Sequence, residues 1–193
     1  MTILVHGYSK SVIKVLESAA ERGLKISVFT TECQPSNLGK GGKEVQKFCE
    51  TLHIPCKTIL DSAVGMCISS VDCVFVGAEA VLENGGIANR IGTFTVALCA
   101  KAYNKPFYVF AESLKFLKSF PLQQSDILHI LEDYCDSNAP NLEEKNNGPA
   151  HASGDDISKV NIDYTPPEYI SCLFTDIGIF TPAAVSDELI KFF

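Results

Sequence analysis

What this chain lacks sets its first bounds. Its eight cysteines (33, 49, 56, 67, 73, 99, 135 and 172) contain no Cys-x-x-Cys pair. That spacing marks zinc ribbons and dithiol redox centres, so no metal is expected. Most of these thiols sit in apolar runs, and reduced, buried cysteines in a cytoplasmic protein fit best. No run of 18 or more apolar residues occurs, so no membrane span is expected. Met1 leads straight into a strand pattern, not into a basic-then-apolar signal segment. A basic surplus is missing too: 16 Lys and Arg face 23 Asp and Glu. Direct nucleic-acid binding is therefore not expected. The turn after the first strand reads His-Gly-Tyr-Ser-Lys-Ser where a dinucleotide site wants Gly-x-Gly-x-x-Gly. No Walker motif and no Gly-x-Ser-x-Gly elbow occur. No cofactor is expected.

What is present is an alternation of strand and helix signals over 193 residues, the size of one domain. Strands are expected at Thr2–His6, Lys25–Thr30, Cys56–Leu60, Cys73–Val76 and Pro106–Phe110, and helices at Ser9–Arg22, Gly41–Leu52, Ser62–Ser69 and Ile91–Tyr103. Ser9 reads as an N-cap and Gly23 as a C′ glycine. Strands this continuously apolar are covered on both faces, which predicts an α/β fold with a mostly parallel sheet and right-handed crossovers. Pro166–Thr175 reads as a helix, Ile177–Phe180 as a strand and Ala183–Phe192 as a terminal helix. The formal charge of −7 is local. Residues 119–158 hold eight acids and one base, while the other 15 acids and 15 bases cancel. The segment at about 122–159 is read as an acidic, mobile insert, with a helical turn or two at Ile127–Tyr134.

Four strand ends carry polar groups: His6-Gly7-Tyr8-Ser9, Thr30-Thr31-Glu32-Cys33-Gln34-Pro35, Asp61-Ser62-Ala63-Val64-Gly65, and Glu79 with Asn84, Gly85, Gly86, Asn89 and Arg90. In a parallel sheet such ends share the edge where ligands bind. Each residue has a plain reading beside its functional one. His6 is a structural hydrogen-bonder or a catalyst. Asp61 is a helix N-cap or a site carboxylate. Glu79 is a solvated loop acid or a base. Arg90 pairs with Glu79 or Glu83, or holds an anion. The amides near Gly92 and Thr93 are a tight turn or a phosphate cradle.

The pattern Gly-Ala-Glu-x4-Asn-Gly-Gly-x2-Asn-Arg-Ile-Gly-Thr at 77–93 resembles a known family. That family joins the alpha, beta and delta subunits of translation initiation factor 2B with two sugar-phosphate isomerases. These act on methylthioribose-1-phosphate and ribose-1,5-bisphosphate. Matching segments span Ile3–Ser9, Thr31–Pro35, Leu60–Gly65, Val71–Phe116 and Ile162–Phe192. His-Gly-Tyr-Ser at 6–9, Glu-x-Gln-Pro at 32–35, Val-Leu-Glu-Asn-Gly-Gly at 81–86 and Ala-Val-Ser-Asp-Glu-Leu-Ile-Lys at 184–191 are most similar to the alpha-type subunits. The resemblance implies a Rossmann-like three-layer domain, helices on both faces, spanning 1–193. It also implies that the family's N-terminal helical domain is absent from this sequence.

The resemblance further implies a degenerate sugar-phosphate pocket at His6, Gly7, Tyr8, Glu32, Gln34, Glu79, Asn89 and Arg90. The isomerases carry a Cys where Gly7 stands, an Asp where Glu79 stands and an Arg where Gln34 stands. Those changes point away from turnover. The implied role is a non-catalytic regulatory subunit of the guanine-nucleotide exchange complex, with no catalytic residues. Implied partners are a second copy of the chain, the beta and delta subunits, the phosphorylated alpha subunit of initiation factor 2, and a sugar phosphate or nucleotide monophosphate. Ile170, Phe174 and Ile177 are expected at the dimer face. The alternative is an isomerase with Glu79 as base and Cys33 or His6 as its partner.

Overall fold

The fold comes from a computed structural model that describes residues 1–34, 41–124, 126–127 and 161–192. It opens with β1 (Thr2–His6), α1 (Lys10–Glu21), β2 (Ser27–Thr31), α2 (Gly42–Thr51), β3 (Cys56–Ile59), α3 (Val64–Cys67) and β4 (Cys73–Val76). Two short strands follow, β5 (Ala80–Leu82) and β6 (Ile87–Arg90), then α4 (Thr93–Ala102), β7 (Phe107–Phe110) and β8 (Phe116–Leu117). The last described stretch holds β9 (Ile162–Thr165), β10 (Cys172–Phe174), β11 (Ile179–Phe180) and α5 (Pro182–Phe192). The expected helical turn at Ile127–Tyr134 and the acidic insert lie almost wholly outside the described residues.

Local sequence sets the ends of α1 as expected. The Ser9 hydroxyl accepts from the Val12 amide. At the other end the Gly23 amide donates to Ala20 (2.8 Å) and Leu24 to Ala19 (3.0 Å), a Schellman closure. Val12, Ile13 and Leu16 bury one face of the helix.

The main sheet has seven strands in the order β11-β10-β7-β4-β1-β2-β3. All neighbours are parallel except β10 and β11. Alternate side chains supply two cores. Leu4, Val74, Val76, Val109 and Leu173 pack with Val64, Ile68, Val96, Ala97, Val185 and Leu189 of α3, α4, α5 and the turn after α3. Ile3, Val5, Val28, Phe75 and Phe110 pack with Val12, Ile13, Leu16, Val45 and Cys49 of α1 and α2. This is the expected α/β fold: a mostly parallel sheet covered on both faces. The chain winds outward from β1 to β3, then restarts at β4 on the other side of β1. Such a reversal is where open α/β sheets bind ligands, in the crevice beyond the carboxyl ends of the strands, and here it lies beyond β1 and β4.

One expectation fails, and the 77–93 stretch holds strands that no expectation named. It forms the β5–β6 hairpin of a second sheet, ordered β8-β5-β6-β9. Its strands are two to four residues long, too short to show a period, and β9 comes from far along the chain. The helix expected at Pro166–Thr175 is a 3₁₀ turn, Pro167–Tyr169, followed by β10. Pairing with β7 overrides the helical pattern there, with Leu173 opposite Val109. Ile170, expected at a dimer face, is buried in the core. Phe174 is half-buried, its ring stacked on Phe110 with centroids 5.0 Å apart. Ile177 is exposed.

Candidate functional site

The crevice begins at His6, the last residue of β1 and only 1% exposed. Its Nε2 lies 3.0 Å from the Ile91 carbonyl and its Nδ1 2.7 Å from Thr31 Oγ1. A carbonyl only accepts, so Nε2 carries the proton and Nδ1 accepts from the threonine hydroxyl. Burial lowers the imidazole pKa, against the opposing pull of Asp61 and nearby carbonyls. His6 is thus a neutral tie between β1, β2 and the start of α4.

Gly7 follows with φ +73°, a left-handed conformation that suits glycine. A Cβ there would sit 3.7 Å from Arg90 Cγ and 3.8 Å from Cys33 Sγ. Cys33, itself at φ 57°, brings its Sγ to 3.9 Å from His6 Nε2. The thiol therefore borders the space that a side chain at position 7 would enter. Burial pushes its pKa up to about 11, with Asp61 adding to the rise. At neutral pH it is a protonated, weakly nucleophilic thiol.

Asp61 does not cap its own helical turn, as the sequence suggested. Its two oxygens accept from the Cys33 and Gln34 amides, each at 2.8 Å. The bend after β2 has amides aimed at this carboxylate, and pairing across strands wins over local capping.

The other wall comes from the second sheet. Asn89 is buried, and its Nδ2 donates to Thr93 Oγ1 at 3.1 Å. The Thr93 hydroxyl in turn donates to the Arg90 carbonyl at 2.6 Å. Arg90 is half-buried, and no carboxylate pairs with it among the described residues; the pairing with Glu79 or Glu83 does not form. Gly92, at φ +98°, starts α4 and leaves 3.0 Å between a would-be Cβ and His6 Cε1. Opposite Asn89 in the β6–β9 ladder stands Asp163, which sequence reasoning missed. Its Oδ2 accepts from the Gly92 amide at 2.8 Å and the Phe94 amide at 3.0 Å. Its Oδ1 is buried without a partner. Burial raises the carboxyl pKa to about 6 despite those amides. A lone acid alternating with Ile162 and Tyr164 was the available signal.

His6, Gly7, Asn89 and Arg90 are thus brought together with Cys33, Gly92 and Asp163. The remaining candidates make other contacts. Glu79 is exposed, and its amide donates to the Ala88 carbonyl. Tyr8 is half-buried and packs on the α1–α2 core. Glu32 is tied by backbone, its amide donating to Ile59. Gln34 is exposed, held through its amide by Asp61. Asn84 serves the hairpin turn: it donates to the Tyr164 hydroxyl and accepts from the Gly86 amide. Pro35 lies outside the described residues. Seven cysteines among the described residues are free thiols, and no group of potential metal ligands occurs among those residues.

A doubly wound sheet with its crevice beyond β1 and β4, walled by a second small sheet, defines the class. The chain belongs to the initiation factor 2 subunit family (IF-2B), whose profile matches residues 1–182. It is 45% identical to translation initiation factor eIF2B subunit alpha of Dictyostelium discoideum, covering all of this chain and 59% of that protein. Ribose 1,5-bisphosphate isomerase of Methanocaldococcus jannaschii is 33% identical, covering all of this chain and 58% of that enzyme. Among solved structures, the tetrameric eIF2B-beta2-delta2 complex from C. thermophilum superposes with a TM-score of 0.69 at 20% identity. That match covers all of this chain and 54% of the other, and at that identity it supports the fold. The chain spans a little under three-fifths of the curated relatives it matches. No helix among the described residues is long and apolar enough to cross a membrane.

Proposed function

We propose that this chain is the α/β domain of an alpha-type regulatory subunit of the initiation factor 2B exchange complex, and that it works by assembly without catalysis. The observation that carries this reading is the state of the crevice. Gly7 stands where the resembling isomerases carry a thiol, the nearby Cys33 thiol has its pKa raised to about 11, and Glu79 faces solvent. The higher identity to an eIF2B alpha subunit than to the isomerase supports it as well. On this reading the domain is Rossmann-like and cytoplasmic, pairs with a second copy of itself, bridges beta and delta subunits, and helps sense phosphorylated initiation factor 2. Sedimentation of the purified chain, followed by co-purification with beta and delta subunits, tests the assembly. A strict monomer at tens of micromolar that captures neither subunit would sink it. Turnover of ribose-1,5-bisphosphate or methylthioribose-1-phosphate, abolished by Glu79→Gln, would restore the isomerase reading.

The crevice keeps Asn89 and an Arg90 that no carboxylate pairs among the described residues, which supports retention of a small anionic ligand, a sugar phosphate or nucleotide monophosphate, as an assembly signal. Calorimetry comparing the wild type with Arg90→Ala tests this. Equal heats would remove Arg90 from the site.

A further inference from the structure

The start of α4 is a position where an anion is expected. The helix is ten residues long, and its first amides point out of it toward the crevice. Gly92 has no side chain with which to cap those amides. A ligand phosphate at this point needs the hydrogens of Gly92 and Phe94. Both are already spent on Asp163 Oδ2, at 2.8 and 3.0 Å. The carboxylate arrives from β9, across the ladder from Asn89, and it is 7% exposed. Its second oxygen is buried and unpartnered. An ordinary helix cap does not need a buried charge: Ser9 does the same work at α1 with a neutral hydroxyl.

We propose that Asp163 is a resident anion: its carboxylate occupies the anion subsite at the start of α4 and closes it to phosphate. Among the described residues, a ligand of this crevice then meets positive charge at Arg90 and not at the start of α4. The inference concerns this chain's own geometry and stands whether or not the regulatory reading holds.

The test is a titration of the whole chain with inorganic phosphate, followed at the Gly92 and Phe94 amides by ¹H–¹⁵N NMR. The wild type is expected to show no saturable shift at either amide. Asp163→Ala frees both hydrogens, and should bind phosphate there at least tenfold more tightly than the wild type. Its thermal midpoint should also rise with phosphate concentration, because a ligand that binds only the folded state stabilises it. Phosphate binding at these amides in the wild type, within twofold of Asp163→Ala, overturns the proposal. So does a folded Asp163→Ala that shows no saturable shift. If Asp163→Ala does not fold, Asp163→Ser, whose shorter side chain retains a polar group, is read by the same two outcomes.

Discussion

The crevice has two walls of opposite electrical character. The β1–β2 wall holds a neutral imidazole, His6, and a protonated thiol, Cys33. The β6–β9 wall holds Arg90 and the carboxyl of Asp163. On the first wall, burial removes both groups from acid–base work at neutral pH. On the second, charges persist, though one of them is committed to the backbone of α4. The contrast teaches that burial can silence the titratable groups on one side of a crevice while charged groups remain on the other.

Removing the neutral wall should have the largest effect. His6→Ala orphans the Thr31 hydroxyl and the Ile91 carbonyl and leaves a cavity. It should cost about 3–5 kcal/mol in urea unfolding. A loss under about 1 kcal/mol would mean the tie is not structural.

The two walls should also show opposite pH signs. Asp163 is raised to about 6 in the fold from an ordinary value of 3.8. The folded state therefore holds the extra proton between those values, and stability falls as pH rises from about 4 to about 6, by on the order of 3 kcal/mol. His6 is lowered from 6.5, so the unfolded state holds the extra proton. Its contribution is present above about pH 6.5 and lost as pH falls below it. In the wild type these slopes oppose each other. Asp163→Asn should remove the first and leave a steeper acid loss. Unchanged acid unfolding in that variant would contradict the assignment.

A smaller effect is expected from Gly92→Ala. It forces a Cβ at φ +98° to within 3.0 Å of His6 Cε1, which should cost about 1–3 kcal/mol. Gly7→Cys meets only ordinary contacts at 3.7–3.9 Å, so its cost should be the left-handed backbone alone, about 1–2 kcal/mol. Thermal melts of the two variants rank them, and a reversed order would place the tight spot on the other wall. Glu79→Gln should change stability by under about 0.5 kcal/mol, since the side chain is exposed.

The first wall was the legible one. Thr2–His6 and Cys73–Val76 are continuous apolar runs that read as buried parallel strands, though only the fold sets their ends side by side. The Ser9 cap and the Gly23 stop were equally local. The second wall was legible only in Asn89 and Arg90, because its strands are too short for a period and its decisive pairing, Asn89 with Asp163, is remote in sequence. Asp61 misled for the same reason: a local cap and a cross-strand clamp have one sequence signature, and only the fold separates them. Glu79 was grouped with Asn89 by proximity along the chain, whereas the hairpin exposes one and buries the other.

The 71-residue separation between Gly92 and Asp163 has a temporal meaning. A chain made from its N-terminus exposes α4, with its first amides uncapped, long before β9 emerges. Closing so long a loop is an entropic cost that must be met before the contact forms. The crevice is therefore finished only when β9 arrives, well after α4 and the strands β1 to β8 have been made. A nascent chain halted before residue 161 would carry β1 to β4 and α4 but not the carboxylate that seals the helix.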